Sequence, residues 1–274
     1  MNKRDGLGMI NIQMDKINNF SKAIKKGIYS FEYDNKKYYL KEFKNTSYLY
    51  NEMIAYEIGK CFGLDMVSYD IAFIDDYIGY LSVDYMKKGY FYLEDLLKSF
   101  YSTFVNKNNL NDVSFMFLSM YGDEVSKKIT DELIKLMMFD IIIANSDRHD
   151  RNIIIDMNNY KLGPVADNEM MLEDMALYDN YYGFGVSNNT NNILEEFLNI
   201  LDDNQLKYFK DMIELISDKN IQVVIEKVQT KIEAPMIDSI KNSIINRFRD
   251  NYRVLFKLVD SKINERGMVK SLWK

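Results

Sequence analysis

Residues 130–144, TDELIKLMMFDIIIA, constrain this chain more than any other stretch. Thr130 reads as an N-cap, with Asp131 and Glu132 in the first turn, where carboxylates suit the positive end of the helix dipole. Beyond them Leu133, Ile134, Leu136, Met137, Met138, Phe139, Ile141, Ile142 and Ile143 cover a helix on nearly every side. A helix without a polar face belongs inside a larger body rather than on its surface. Its one interruption, Asp140, falls on the stripe traced by Leu133, Leu136, Met137, Ile141 and Ala144. A carboxylate so placed is buried and must find donors. The polar loop that follows is the nearest supply, so Asp140 is expected to brace it.

That loop, NSDRHDRN at 145–152, contains His149, the only histidine in the chain. After it come III at 153–155, the polar turn DMNN, and YKLGPVAD at 160–167. Two short strands around a tight turn are expected over 153–166, and they return the chain to Asp167 beside the loop. Asp147, Asn152 and Asp167 then become neighbours. Oxygen-bearing side chains converging without cysteine suit a hard cation such as Mg²⁺ rather than zinc. Magnesium in a cleft between a sheet and a helical lobe suggests a nucleoside triphosphate. His149 is expected to be structural, its ring hydrogen-bonded within the loop and holding Asp147 and Asn152 in register.

The amino-terminal part has a different texture. IYSFEYD at 28–34 and KKYYLKEF at 36–43 are aromatic and β-branched runs joined at Asp34 and Asn35, a hairpin signature. Residues 46–62 read as a helix with Thr46 or Ser47 as N-cap, Leu49, Met53 and Tyr56 on one face, and Gly63 as the stop. Further strands are expected near 69–74 and 77–85, turning at Asp75 and Asp76. After Gly89 the pattern changes to amphipathic helices. The last long one is expected to begin at Pro235 and to carry Ile237, Ile240, Ile244 and Phe248 inward. The expectation is an α+β, bilobal chain: a small sheet with one helix over 1–88, and a larger, mainly helical lobe over 89–274.

Composition narrows the function classes. With 47% hydrophobic residues the chain can form a substantial core, and two prolines leave little room for a disordered linker. A net charge of −6 argues against a nucleic-acid surface, which needs clustered Lys and Arg. The single cysteine, Cys61, has no internal disulfide partner and is expected to be a small buried hydrophobe. No apolar signal segment is seen, and no run approaches the roughly 18 uncharged apolar residues of a membrane span. A soluble, cytoplasmic protein without membrane insertion is expected.

Asp147 and Asn152 have the five-residue spacing of a protein-kinase catalytic loop, and Asp167, fifteen positions further on, stands where a metal-binding Asp follows a short hairpin. The usual order His-Arg-Asp is reversed to Asp147-Arg148-His149. With FDIIIANSDRHDRN, Asn145 two before the aspartate and Pro164 three before Asp167, this stretch resembles the HipA-like serine/threonine kinases and, more distantly, the phosphoinositide kinases. The likeness extends more weakly to LKEFK, NEMIAYEIGKCFGLDMVSYDIA and SVDYM.

The resemblance implies a bilobal protein-kinase-like fold and ATP and Mg²⁺ as cofactors. It implies Asp147 as the proton acceptor, Asn152 and Asp167 as metal ligands, Lys41 on the ATP phosphates, Glu52 orienting Lys41, and backbone groups of Asp84 to Met86 facing adenine. It also implies a protein substrate with a Ser or Thr acceptor, autophosphorylation, and an antitoxin partner, while the acidic composition, not the resemblance, is what argues against direct nucleic-acid binding.

Departures from the protein-kinase pattern are visible. No G-x-G-x-x-G precedes the first strand, where NFSKAIKKG at 19–27, with Ser21, is the nearest phosphate-cradling candidate, and Lys44 rivals Lys41. Asn168 and Glu169 follow Asp167 where Phe and Gly are usual, and no Ala-Pro-Glu element follows. A lipid or small-molecule kinase with the same loop, and a nucleotide-binding pseudokinase, are the competing readings.

Overall fold

The computed structural model describes residues 2–3, 10–22, 27–42, 46–101, 110–145, 147–172, 193–232 and 236–272. Phe43, Lys44, Pro235 and residues 23–26 of the phosphate-cradling candidate lie outside them, as do the side chains of Thr46, Ser47 and Leu49.

Turn chemistry builds the first sheet. Strands β4 (Ile28–Tyr33) and β5 (Lys36–Glu42) pair antiparallel with Tyr33 opposite Lys36, so Asp34 and Asn35 alone form the turn. Both have left-handed φ values, 48° and 59°, which Asp and Asn tolerate and which match the twist of the flanking strands. The device recurs between β6 (Asp70–Ile74) and β7 (Tyr77–Val83), with Asp75 at φ 49°. With β1 (Asn2–Lys3), β2 (Ile10–Ile12) and β3 (Asn18–Lys22), the sheet has seven strands among the described residues, in the order β1-β2-β6-β7-β5-β4-β3. These three extra strands exceed the small sheet expected. They are short, and β2 joins by parallel pairing with β6, a contact far away in sequence.

Alternation along β5 sorts its side chains. Leu40 enters an apolar cluster with Ile12, Tyr29, Phe31, Ala72, Ile74 and Leu81. Lys41 therefore takes the opposite face of the sheet, beside α1 (Thr46–Cys61). That helix stops at Gly63, whose φ of 67° gives the left-handed cap that a Cβ would strain. Cys61 is exposed, contrary to expectation, because Ile58 and Phe62 fill the buried positions of the last turn.

The larger lobe is organised on α4 (Asp123–Ile143), in which every residue from Leu136 to Ile143 is buried. It begins earlier than expected: Gly122, at φ 85°, precedes it, Asp123 and Glu124 occupy the first turn, and Thr130 lies in its interior. Against it pack α3 (Leu110–Tyr121), α6 (Asp203–Ile213) and α8 (Asp238–Leu272), while α2 (Leu93–Phe100), α5 (Ile193–Ile200) and α7 (Asp218–Ile232) contribute to the same apolar core. In α8, Ile244 and Phe248 face inward, but Ile237 precedes the helix and is 67% exposed. A strand, β8 (Tyr90–Tyr92), directly follows Gly89 where helix was expected, and pairs with β9 (Ile154–Asp156), which pairs with β10 (Lys161–Leu162). The whole is α+β and bilobal.

Candidate active site

The site is assembled where α4 ends. Ala144 adopts φ 52° and turns the chain, and Asn145 N–H donates to the Asp140 carbonyl at 2.9 Å. Asp140 is fully buried and receives Arg148 Nε at 3.0 Å, Arg148 Nη2 at 3.0 Å and Asn145 Nδ2 at 3.1 Å. Burial pushes the Asp140 carboxyl above its ordinary pKa, while Arg148 and Asn145 act in the opposite direction. Asp140 thus braces the loop as expected, and Arg148 is the brace it holds.

Arg148 reaches further. Its Nη1 donates to the Ala166 carbonyl at 2.7 Å and its Nη2 to Asn168 Oδ1 at 2.6 Å. Both flanks of Asp167 are thereby tied to the residue next to Asp147. The hairpin is also fixed from the sheet side, where Val165 N–H donates to the Asp65 carbonyl and Val67 N–H to the Val165 carbonyl.

Within the loop, Asn152 Nδ2 donates to the Asp147 carbonyl at 2.9 Å, and His149 N–H donates to Asn152 Oδ1 at 3.0 Å. The register role expected of the His149 ring therefore belongs to its main chain and to the Asn152 amide. The ring's Nδ1 is buried with no hydrogen-bond partner among the described residues. Asp147 itself is exposed, its N–H donating to Asn145 Oδ1 at 3.3 Å.

Lys41 comes to the same place from the sheet. Its ammonium pairs with the Asp167 carboxylate and lies 3.2 Å from Glu169 Oε2. Burial works to lower the Lys41 pKa, but Asp167, Glu169 and Glu52 hold it above the ordinary lysine value. Glu52 does not pair directly with Lys41 as expected. Its Oε1 accepts the Asn168 N–H at 2.8 Å and its Oε2 accepts Asn168 Nδ2 at 3.1 Å. Its neighbour Asn51 donates to the carbonyls of Glu169 and Met171 at 2.8 and 2.9 Å. Helix α1 thus clasps the segment after Asp167. From sequence Asn51 had no assigned role, Arg148 was named only as part of the reversed loop, and Asn168 and Glu169 only as departures from the protein-kinase pattern. Only Arg148 carried a signal, as the cation nearest a buried acid.

Glu52 yields a pH prediction. Burial pushes its carboxyl from 4.5 up to about 7, against the pull of Lys41 and Asn168. Between those values the folded protein holds a proton that the unfolded chain releases, so the Glu52 contribution to stability falls as pH rises from 4.5 to about 7. The expected fall is on the order of 3 kcal/mol. Urea denaturation across this range, wild type beside Glu52→Gln, measures it. Parallel stability curves for the two proteins would rule it out.

At the connection between the lobes, the Asp84 carboxylate accepts the Met86 N–H at 3.0 Å and lies 3.4 Å from Lys37 Nζ. The Met86 amide expected to face adenine is therefore engaged by Asp84, and must leave that carboxylate to donate to a base. Tyrosines surround this end of the site. Tyr85 and Tyr92 both lie in the field of Asp167, their phenols raised chiefly by burial, and the Asp167 main chain hydrogen-bonds the buried Tyr69 hydroxyl.

No protein-family model and no curated protein sequence matches this chain. Among solved structures, the proinflammatory kinase CtkA of Helicobacter pylori overlays with a TM-score of 0.69 at 16% identity, covering 94% of this chain and 99% of that one. The fold is that of a bilobal, kinase-like protein. A HipA chain from a Shewanella oneidensis MR-1 toxin–antitoxin complex with HipB and operator DNA is 12% identical, with a TM-score of 0.47 over 90% of this chain and 68% of that one. The kinase-like fold has its lobes meeting at the Lys41–Asp167 pair, with the Asp147 loop tied to the same point through Arg148.

Proposed function

We propose that the chain is an ATP-dependent phosphotransferase of the HipA-like type, transferring the γ-phosphoryl group to a Ser or Thr hydroxyl of a protein, itself included. The observation that carries this reading is the position of Asp167. It is ion-paired with Lys41 from the sheet and flanked by two residues that Arg148, next to Asp147, holds. The overlay on a protein described as a kinase supports it.

The donor set fits a magnesium–triphosphate. Asp167 offers a carboxylate, and Asn152 Oδ1 has accepted one hydrogen bond, from His149 N–H, and retains a second lone pair. Magnesium is ordinarily held by one or two carboxylates together with substrate phosphates, so a full protein cage is not required. Asp167 and Asn152 would hold the ion, which would supply charge neutralisation to the triphosphate. Lys41 would leave its carboxylate partners for the α- and β-phosphates, as a compact point charge on a flexible stem. Asp147, exposed at the loop, would accept the proton of the incoming hydroxyl as its oxygen bonds to the γ-phosphorus and the bond from that phosphorus to the β–γ bridging oxygen breaks. Positioning and charge stabilisation account for most of such a barrier.

The test is incubation of purified protein with Mg²⁺ and γ-labelled ATP, alone and with a mixed protein acceptor, followed by mass spectrometry. Label on Ser or Thr is expected. Nucleotide binding without any transfer would favour the non-enzymatic module, transfer to a lipid or small molecule alone would favour that kinase class, and absence of nucleotide binding would overturn the reading.

A further inference from the structure

The Asn168 side chain sits at a junction that none of the roles above uses. It is 1% exposed, and its amide works in both directions: Oδ1 accepts Arg148 Nη2 at 2.6 Å, and Nδ2 donates to Glu52 Oε2 at 3.1 Å. The Asn168 main-chain N–H adds a bond to Glu52 Oε1 at 2.8 Å. A continuous buried chain results, Asp140–Arg148–Asn168–Glu52, with relative exposures of 0, 2, 1 and 1%. It starts on α4, passes through the catalytic loop and the segment after Asp167, and ends on α1.

The chemistry of the position is restrictive. Arg148 presents only donors and an ionised Glu52 only acceptors, so the residue between them must accept on one side and donate on the other. A primary amide does both on one planar group. Aspartate would set a carboxylate against Glu52, and an apolar residue would leave both neighbours unsatisfied in a buried place. Asp167 itself has a left-handed φ of 64°. The peptide group before it is held through the Ala166 carbonyl by Arg148, and the one after it through the Asn168 N–H by Glu52.

We propose that Asn168 is a positioning residue that couples α1 to the catalytic loop, so that the seating of Glu52 and of Arg148 together fixes the orientation of Asp167. This rests on the phosphotransferase reading for its catalytic consequence, though the coupling itself does not. Glu52 then acts on Asp167 through Asn168, and Lys41 takes its second carboxylate from Glu169. A displacement of α1 would be felt at Asp167 and in the 147–152 loop without any Glu52–Lys41 ion pair.

Complementarity can be broken and rebuilt. Above pH about 7, where Glu52 is ionised, Asn168→Asp keeps the acceptor for Arg148 but opposes two carboxylates, and is expected to lower kcat/KM for ATP by up to about 100-fold, the cost of an ångström-scale misplacement. Adding Glu52→Gln restores a donor opposite the new carboxylate and an acceptor for the main-chain N–H. The double variant should recover at least about tenfold of the loss, whereas Glu52→Gln alone, which opposes two donors, should not gain. A merely structural role predicts a double variant no better than the worse single, and that result overturns the proposal. If Asn168→Asp fails to fold, recovery of folding in the double variant is the same comparison.

Hydrogen exchange separates this from failure of the kinase reading. Glu52→Gln should speed amide exchange in residues 147–152, which Glu52 does not touch, as well as at Asn168, and the double variant should reverse both. Exchange that changes at Asn168 alone would show that no coupling crosses it, whether or not the protein transfers phosphate.

Discussion

Replacing Asp147 by Ala is expected to lower turnover by about 10²- to 10⁴-fold, the usual contribution of a positioned proton acceptor, while leaving the melting temperature almost unchanged. The separation of the two effects follows from how the loop is held. Asp147 takes part through its main chain, its N–H donating to Asn145 and its carbonyl accepting from Asn152. Alanine retains both bonds. Its carboxylate is exposed and makes no hydrogen bond or ion pair among the described residues, so its removal strands no buried partner. Steady-state turnover and a thermal melt on the same preparation provide the check. Undiminished turnover would remove Asp147 from the mechanism, and a melt lowered by many degrees would mean that it supports the loop instead.

What sequence reveals here depends on how locally each feature is determined. The hairpins at Asp34–Asn35 and Asp75–Asp76 are legible because two turn residues decide each, both with left-handed φ in the first and Asp75 alone in the second. The central helix is legible because an apolar surface on all sides leaves only burial. Its start is not, since a charged run such as SKK continues a helix as readily as it precedes one, and the break at Gly122 competes with the capping signal at Thr130. Strand β2 depends on a parallel partner some sixty residues away, which no local pattern announces. The site divides in the same way. The link between Asp147 and Asn152 is a short-range closure, visible as spacing, and a buried Asp140 demands a cation that Arg148 supplies. The bonds that Glu52 and Asn51 make to residues 168–171 cross more than a hundred positions. From sequence, Asn168 and Glu169 therefore looked like departures from a pattern, when they are the partners of Glu52 and Lys41. His149 misled for another reason: residue type draws attention to the ring, whereas its main chain makes the contact with Asn152.

The Asp140–Arg148 pair leads to a second large effect, and it should be lopsided. Asp140→Ala removes the carboxylate that pairs with the buried guanidinium, and a guanidinium cannot shed its proton. Breaking a buried pair in this way costs about 3–5 kcal/mol. Arg148→Met leaves a buried carboxyl instead, but that group can become neutral by binding a proton, and burial already raises its pKa. The folded Arg148→Met protein should then hold a proton that the unfolded chain has lost, so its stability falls as pH rises above the ordinary carboxylate range. At mildly acidic pH the Arg148 variant should therefore be the more stable of the two, with the gap closing toward neutrality. Joining Asp140→Leu to Arg148→Met removes both charges and should recover much of the stability. It should not recover turnover, because the Ala166 carbonyl and Asn168 Oδ1 would still lack the donors that tie Asp167 to the loop. Urea denaturation of the three variants between mildly acidic and neutral pH, with turnover measured alongside, decides the matter. Equal losses for the two single variants at every pH would refute the asymmetry, and a double variant with restored turnover would show that Arg148 is only a packing element.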